Sequence, residues 1–169
     1  MRNISALLIM VISAFATTAG ALISNQIGAG EQRCLFKTCG MTLKLTYAIL
    51  IPLLMILCLF PELVLRTFTD SPSLIAASVN SVYVMASSTL IMAPSFILFN
   101  AVSGTGNTKA GFIMEMISLA VYTAVIYYGI IRLKPDVALC WFSEHVYGVT
   151  LITLAWWYLK SGKWRGKKV

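Results

Sequence analysis

The chain has 169 residues, of which 59% are hydrophobic and 11% charged, and its mean hydropathy is +0.83. A soluble domain carries about a quarter charged residues and cannot bury so much apolar surface, so this composition excludes a soluble globular protein. The net charge of +7 comes from basic residues placed between apolar runs, which indicates membrane topology and argues against a nucleic-acid surface.

Five apolar stretches are long enough to cross a bilayer, since a helical span needs about 20 mostly apolar residues. In chain order, we predict spans at residues 4–27, 34–60, 73–99, 111–131 and 137–159. The predicted fold is therefore an all-α integral membrane protein with five transmembrane helices. These form one unit over residues 1–162, followed by a basic tail over residues 163–169.

A stripe of small residues runs along the first span, because Ala16, Gly20, Ser24 and Gly28 recur every fourth residue. Such a face suits a tight helix–helix contact inside a membrane. We predict that it packs against a helix absent from the chain or against a second lobe. The alternative of a secretory signal cleaved near Ala19-Gly20-Ala21 is disfavoured, because the apolar run continues past that point.

Similar polar and glycine residues close the first and third spans, and we interpret both sets as helix ends and turns. The helix-end residues are Asn25, Gln26, Gly28 and Gly30 before Arg33, and Asn100, Gly104 and Gly106 before Lys109. The second set lacks the G-x-x-x-x-G-K-[ST] spacing of a phosphate loop. The similarity between the two sets indicates repeated helix pairs. Chance similarity is the alternative, because the spacing within the two sets is unequal.

The basic residues predict the orientation of the five helices. Four lie on the side of the N-terminus: Arg2, Arg66, Arg132 and Lys134. Nine lie on the other side: Arg33, Lys37, Lys44, Lys109, Lys160, Lys163, Arg165, Lys167 and Lys168. Because cytoplasmic loops carry the excess of Lys and Arg, the N-terminus is predicted to be external and the C-terminal tail cytoplasmic.

Three ionisable residues lie inside the last two predicted spans: Glu115, Glu144 and His145. Ionisable groups at membrane depth are costly, so they usually face the interior of the bundle, where they pair or serve an ion path. We predict ion coupling or a buried polar role for all three. The alternative is that their side chains extend to the nearby membrane–water interface. The two glutamates enter from opposite membrane sides, so a direct pair between them is not expected.

Serines also recur on the third span, where Ser81, Ser88 and Ser95 are spaced by seven residues. With Met92 they predict either a helix-packing face or the wall of a wet cavity. The four cysteines have no C-x-x-C spacing, and His145 is the single histidine. This pattern predicts no enzyme, no metal site and no cofactor.

Five motifs in order resemble the last five spans of the multidrug and toxic compound extrusion (MATE) transporters. They are Gly20–Gly30, Phe60-Pro61-Glu62 with Phe68-Thr69-Asp70, Ala101–Lys109, Glu115 with Tyr122, and Trp141–Tyr147 with Leu159–Trp164. The family has twelve spans in two six-helix lobes. The resemblance covers nearly the whole chain and gives the same orientation as the count of basic residues.

The resemblance implies secondary active export of organic, often cationic, compounds from a cavity between the lobes in exchange for protons or sodium ions. The implied partners are the lipid bilayer, a small organic substrate and an N-terminal lobe, in the cell (inner) membrane. Family members with a cation site in this lobe use an acid on the tenth span, whereas residues 73–99 contain none. We therefore expect an inactive truncated fragment, without a sodium site of that kind.

Two other functions remain open. A lipid-linked oligosaccharide or polysaccharide flippase of the related superfamily would line its cavity with several cations, and here Lys44 alone lies far from a span end. A small self-associating membrane subunit without a transport cycle is the second alternative.

Overall fold

A computed structural model of the protein describes residues 2–68, 71–132, 140–162 and 164. The helices in chain order are α1 (Arg2–Gly28), α2 (Leu35–Leu59), α3 (Pro61–Arg66), α4 (Pro72–Gly104), α5 (Thr108–Val125) and α6 (Phe142–Ser161). A 3-10 turn at Gln32–Cys34 precedes α2, and α5 continues as a π-helical segment over Ile126–Arg132. The described residues contain no β-strand, so the predicted all-α fold is confirmed.

Four helical stretches in the described part of the chain are long and apolar enough to cross a membrane. They are Asn3–Gly28, Gln32–Leu59, Pro72–Gly104 and Thr108–Gly129. Together they confirm an integral membrane protein. Helix α6 has 20 residues but is not among these four, so its crossing of the membrane stays a prediction.

Helix α4 is the centre of the bundle, because α1, α2, α3, α5 and α6 all pack against it. Its sequence has no acidic or basic residue between Pro72 and Gly104. Many of its inward positions are small, as at Ser81, Ala86 and Ala93, each no more than 5% exposed. Small inward residues let neighbouring backbones approach closely, which is how helices associate in lipid.

The tightest approach in the bundle is between α1 and α4. A methyl group placed on Gly104 would collide with the main-chain carbonyl of Gly20, and one placed on Gly20 would lie 3.0 Å from the carbonyl oxygen of Asn100. Ala16 is also fully buried. The prediction that this stripe packs against a helix outside the chain is therefore wrong for Gly20, whose partner is α4, and for Ala16, which is buried in a core cluster within the chain. Gly28 is exposed, with nothing within 4 Å of an added methyl group.

The helix-end residues lie where α1 and α4 stop. Helix α1 ends at Gly28 and Gly30 has a φ of 82°, while α4 ends at Gly104 and Gly106 has a φ of 78°. Glycine suits these positions because other residues rarely adopt a positive φ. Gln26 accepts a 2.8 Å hydrogen bond from the Thr38 hydroxyl and so ties α1 to α2. Asn25 is exposed on the last turn of α1.

Contacts between helix ends show that the bundle alternates in direction. Phe36 at the start of α2 meets Trp156 near the end of α6, with ring centroids 5.5 Å apart in an edge-to-face arrangement. Asn107, just before α5, donates a 2.6 Å hydrogen bond to the Tyr158 hydroxyl of α6. The start of α2, the start of α5 and the end of α6 therefore lie at the same end of the bundle.

The connections differ from the predicted loops in one respect, since the loop after the second span, which is predicted to be external, contains the short helix α3. Pro61 occupies its first turn, where the absent N–H of proline costs nothing. Some predictions lie outside the described residues: Thr69 and Asp70 of one motif, Lys134, residues 137–139 of the fifth span, and the tail residues 163 and 165–169. Trp164 is 1% exposed, and its indole N–H donates to the Leu159 carbonyl at 2.8 Å.

Candidate functional site

Two glutamates and two tyrosines meet where α5 packs against α6. The Tyr147 hydroxyl of α6 donates a 2.7 Å hydrogen bond to Oε1 of Glu115 on α5. The Tyr122 hydroxyl of α5 donates a longer bond of 3.4 Å to Oε1 of Glu144 on α6. Each helix thus contributes one acid and one phenol, and each bond crosses the interface.

The two hydrogen-bonded pairs form one continuous cluster, because their tyrosines touch. The rings of Tyr122 and Tyr147 lie edge to face, with centroids 6.0 Å apart and planes at 76°. Glu115 and Glu144 are both half-buried. The glutamates do not pair directly in the described hydrogen bonds; the two phenols stand between them. We call Glu115, Tyr122, Glu144 and Tyr147 the carboxylate–phenol cluster.

Ser118 lies on the same face of α5 as this cluster. It follows Glu115 by three residues and precedes Tyr122 by four, and residues at those spacings are neighbours on a helix. Its side chain is 0% exposed, and its hydroxyl oxygen has no hydrogen-bond partner among the described residues. Buried hydroxyls are nearly always hydrogen-bonded, so an unsatisfied one a single helical turn from Glu115 indicates a position for a further polar group.

His145 points to a different neighbour. Its Nε2 is 2.9 Å from the Ser87 hydroxyl of α4, and its ring stacks on Phe142 with centroids 5.1 Å apart. Consecutive helical residues are about 100° apart around the axis, which explains why Glu144 faces α5 while His145 faces α4. The other ring nitrogen, Nδ1, is buried without a partner in the described part of the chain.

The four residues predicted as a cavity wall or packing face are all buried on α4: Ser81 (2% exposed), Ser88 (4%), Met92 (5%) and Ser95 (0%). Ser95 donates to the Ile91 carbonyl of its own helix at 2.7 Å and to the Gly148 carbonyl of α6 at 3.0 Å. An added methyl group on Gly148 would come within 2.9 Å of Ile91. This arrangement places Ser95 in a tight α4–α6 contact.

A metal centre is not formed by the described residues, which contain no group of three or more His, Cys, Asp or Glu side chains able to hold an ion. The four cysteines are free, and Cys39 is buried in the core.

A separate open cavity of about 520 Å³ lies between α1, α2 and α3, with an almost entirely apolar lining that includes Leu8, Leu57 and Val64. It has no residue in common with the carboxylate–phenol cluster.

These features define a multi-pass α-helical membrane protein that holds acidic and phenolic groups within its bundle. Residues 1–128 match the MatE family, which is about three quarters of the chain, and the protein therefore belongs to that family of transporters. The matched region contains Glu115 and Tyr122 but ends before α6. No curated protein and no solved structure matches the chain.

Sequence reasoning found the two glutamates but not their partners. Tyr147 was named only as part of the Trp141–Tyr147 motif, whereas its hydroxyl lies at the α5–α6 interface and donates to Glu115. The signal was present in the sequence as the spacing of Glu115, Ser118 and Tyr122, which places three polar groups on one helix face. The contact between this face of α5 and helix α6 could not be predicted in the same way, because it joins residues that are distant in the chain.

Proposed function

We propose that the protein acts in a secondary active antiporter that exports organic, often cationic, drugs or xenobiotics in exchange for protons or sodium ions. The observation that carries this proposal is the match of residues 1–128 to the MatE family. The packing of three membrane-length helices around a fourth, α4, supports it, because family members transport through bundles of such helices. No catalytic role is proposed.

The proposed location is the cell (inner) membrane, with the C-terminus in the cytoplasm. The support is the distribution of basic residues, together with the alternation of helix directions in the bundle. Lys37, Lys109 and Lys160 belong to the helix ends that the Phe36–Trp156 and Asn107–Tyr158 contacts bring together. One end of the bundle therefore carries the basic excess that cytoplasmic surfaces show.

Export is proposed to need an opposing lobe, because the family resemblance places the substrate cavity between two lobes. We therefore expect no transport by the 169-residue chain alone and restored transport when it is joined to spans one to seven of another MatE-family transporter. The partners in this scheme are the bilayer, a small organic substrate and that N-terminal lobe. No observation favours a polysaccharide flippase or a self-associating subunit without transport.

The test is complementation in a drug-sensitive bacterial strain that lacks its own exporters. The chain alone, the hybrid and the parent transporter would each be expressed, and resistance and efflux of a fluorescent organic cation measured. Fluorescence-detected gel filtration would establish that each protein is folded and present in the membrane. Efflux by the hybrid supports the proposal, whereas a folded hybrid without efflux of any tested compound contradicts it. Resistance from the chain alone would contradict the need for a second lobe.

A further inference from the structure

We propose that the α5–α6 interface is a proton-binding site in which Glu115 carries the proton, Tyr147 is the partner of its ionised form and Ser118 the partner of its protonated form. This inference deepens the proposed function and rests on it only for its role in transport. Proton binding itself is a property of the chain that can be measured without transport.

The groups that bond to the two carboxylates are neutral. Glu115 receives its 2.7 Å hydrogen bond from Tyr147, and Glu144 receives its longer one from Tyr122. A carboxylate at membrane depth is expensive unless it pairs with a cation or becomes protonated. A phenol lowers that cost by donating a hydrogen bond but leaves the negative charge in place. Uptake of a proton would remove that charge from the membrane interior.

Among the side chains that the structure describes on the surrounding helices, no charged group supplies the missing cation. Helix α4, which packs on both partners, has no acidic or basic residue, and Tyr83 is its one titratable group. Besides Glu115, α5 carries Lys109, which is exposed about 9 Å away along the axis at 1.5 Å per residue. In the π-helical segment, Tyr127 and Tyr128 are exposed and face each other.

The basic residues of α6 do not face Glu115, although His145 directly follows Glu144 in the chain and interacts with its charge. His145 is hydrogen-bonded to Ser87 on the α4 side, and Lys160 lies 13 residues after Tyr147, about 20 Å farther along the helix. The groups that face Glu115 across the interface are therefore Tyr147 and, through the Tyr122 ring, Glu144.

Ser118 provides what a protonated glutamate needs. An ionised carboxylate only accepts hydrogen bonds, whereas a carboxylic acid also has one O–H to donate and requires an acceptor. The Ser118 hydroxyl is fully buried, without a partner, and one helical turn from Glu115. When Glu115 takes a proton from a hydronium ion, its new O–H can donate to this oxygen. Glu115 thereby changes from anion to neutral acid and the donating hydronium becomes water.

The proton is the ligand that this geometry fits. It needs one carboxylate and one acceptor, and Glu115 and Ser118 supply them within one turn of one helix. The described residues contain no cluster of three or more metal-ligating side chains at this interface. A sodium ion is accordingly an outcome that the experiment must distinguish, and it would overturn the proposal.

The experiment is an infrared pH titration of the purified 169-residue chain in liposomes, following the C=O stretch of protonated carboxyl groups. We expect Glu115→Gln to remove one titrating band. Tyr147→Phe removes the donor to the ionised form, so the midpoint should move to higher pH. Ser118→Ala removes the acceptor of the protonated form, so the midpoint should move to lower pH.

The controls are chosen to change similar groups away from the cluster. Thr123→Val removes an exposed hydroxyl of α5 that bonds to its own helix, and Tyr128→Phe removes a phenol from a side chain that is 66% exposed. Neither should move the midpoint. Gel filtration and circular dichroism identify variants that do not fold, and Tyr147→Phe keeps the packed ring and so preserves the test.

Opposite shifts in Tyr147→Phe and Ser118→Ala support the proposal, because a purely structural role would not give two directions. The proposal is overturned if the titrating C=O band keeps its full intensity in Glu115→Gln. It is also overturned if the midpoint is unchanged in both Tyr147→Phe and Ser118→Ala. Loss of the band when potassium is replaced by sodium at constant pH would assign the site to sodium and also overturn it. An inactive hybrid transporter with an intact titration would contradict the proposed function and leave proton binding standing.

Discussion

Gly104 of α4 lies directly against the main-chain carbonyl of Gly20 on α1, with no room for a side chain between the two helices. We therefore predict that Gly104→Ala forces the helices apart and destabilises the bundle. Overpacking of a tight core typically costs about 1–3 kcal/mol. The loss should appear as a lower midpoint of thermal unfolding for the purified chain in detergent.

Gly28→Ala is the matched control for this change, because it alters another glycine at a helix end. An added methyl group there meets nothing within 4 Å. Since alanine is favoured over glycine in a helix by about 1 kcal/mol, this variant should be neutral or slightly more stable. Equal destabilisation by both substitutions would show that the α1–α4 contact is not the reason.

The second prediction concerns Asn107, which has two roles at the start of α5. Its side-chain oxygen accepts from the Ala110 N–H at 3.3 Å and caps the helix, while its amide group donates to the Tyr158 hydroxyl at 2.6 Å. Tyr158→Phe should remove only the interhelical bond. Asn107→Ala should remove both, and loss of the cap alone costs about 1 kcal/mol.

Chemical denaturation of the two variants and of the double variant separates these roles. We expect Asn107→Ala to be more destabilising than Tyr158→Phe, and Tyr158→Phe to have no further effect in the Asn107→Ala background. Asn107→Asp keeps a capping oxygen and so serves as the intermediate case. A large additional loss in the double variant would mean that Tyr158 stabilises α6 through other contacts.

The parts of the fold that follow from chemistry along the chain were predictable from the sequence. The span composition, the helix ends at Gly28 and Gly104 and the positions of Glu115 and Glu144 required only hydropathy, turn propensity and charge. Each of these depends on a residue and its close neighbours in sequence. Local rules therefore recover the elements of the bundle.

The pairings between helices were not predictable in the same way. In lipid, apolarity does not distinguish an inner face from an outer one, because lipid tails are as apolar as leucine. Gly20 therefore predicted a close helix–helix contact, but the sequence did not show that the partner helix is α4. The short helix α3 (Pro61–Arg66) was missed for another reason, since six residues after a proline give too weak a helical period to separate from a loop.

The third prediction tests the orientation of the bundle with its free cysteines. Cys34 precedes α2 at the end of the bundle that is predicted to be cytoplasmic, Cys140 precedes α6 at the opposite end, and both are partly exposed. In single-cysteine variants, a membrane-impermeant maleimide should label Cys140 in intact spheroplasts and Cys34 only in inverted vesicles. Cys39 is 6% exposed and should react slowly in both. The reverse pattern would contradict an external N-terminus.

The last prediction joins the cluster to transport, in a hybrid that has been shown to export. Because Tyr147 donates directly to Glu115, we expect their substitutions to act on one function and not independently. Glu115→Gln should lower proton-driven efflux by tenfold or more, which corresponds to about 1.4 kcal/mol, and Tyr147→Phe should lower it less. In the double variant, Tyr147→Phe should add nothing, because its partner Glu115 has already lost the charge.

Glu144→Gln tests the second carboxylate, and the longer 3.4 Å hydrogen bond from Tyr122 to Glu144 predicts a smaller loss of efflux. Efflux driven by an imposed pH gradient in proteoliposomes is the measurement, with Thr123→Val as the control variant. Full activity in both Glu115→Gln and Glu144→Gln would assign the cluster a structural role in holding α5 against α6.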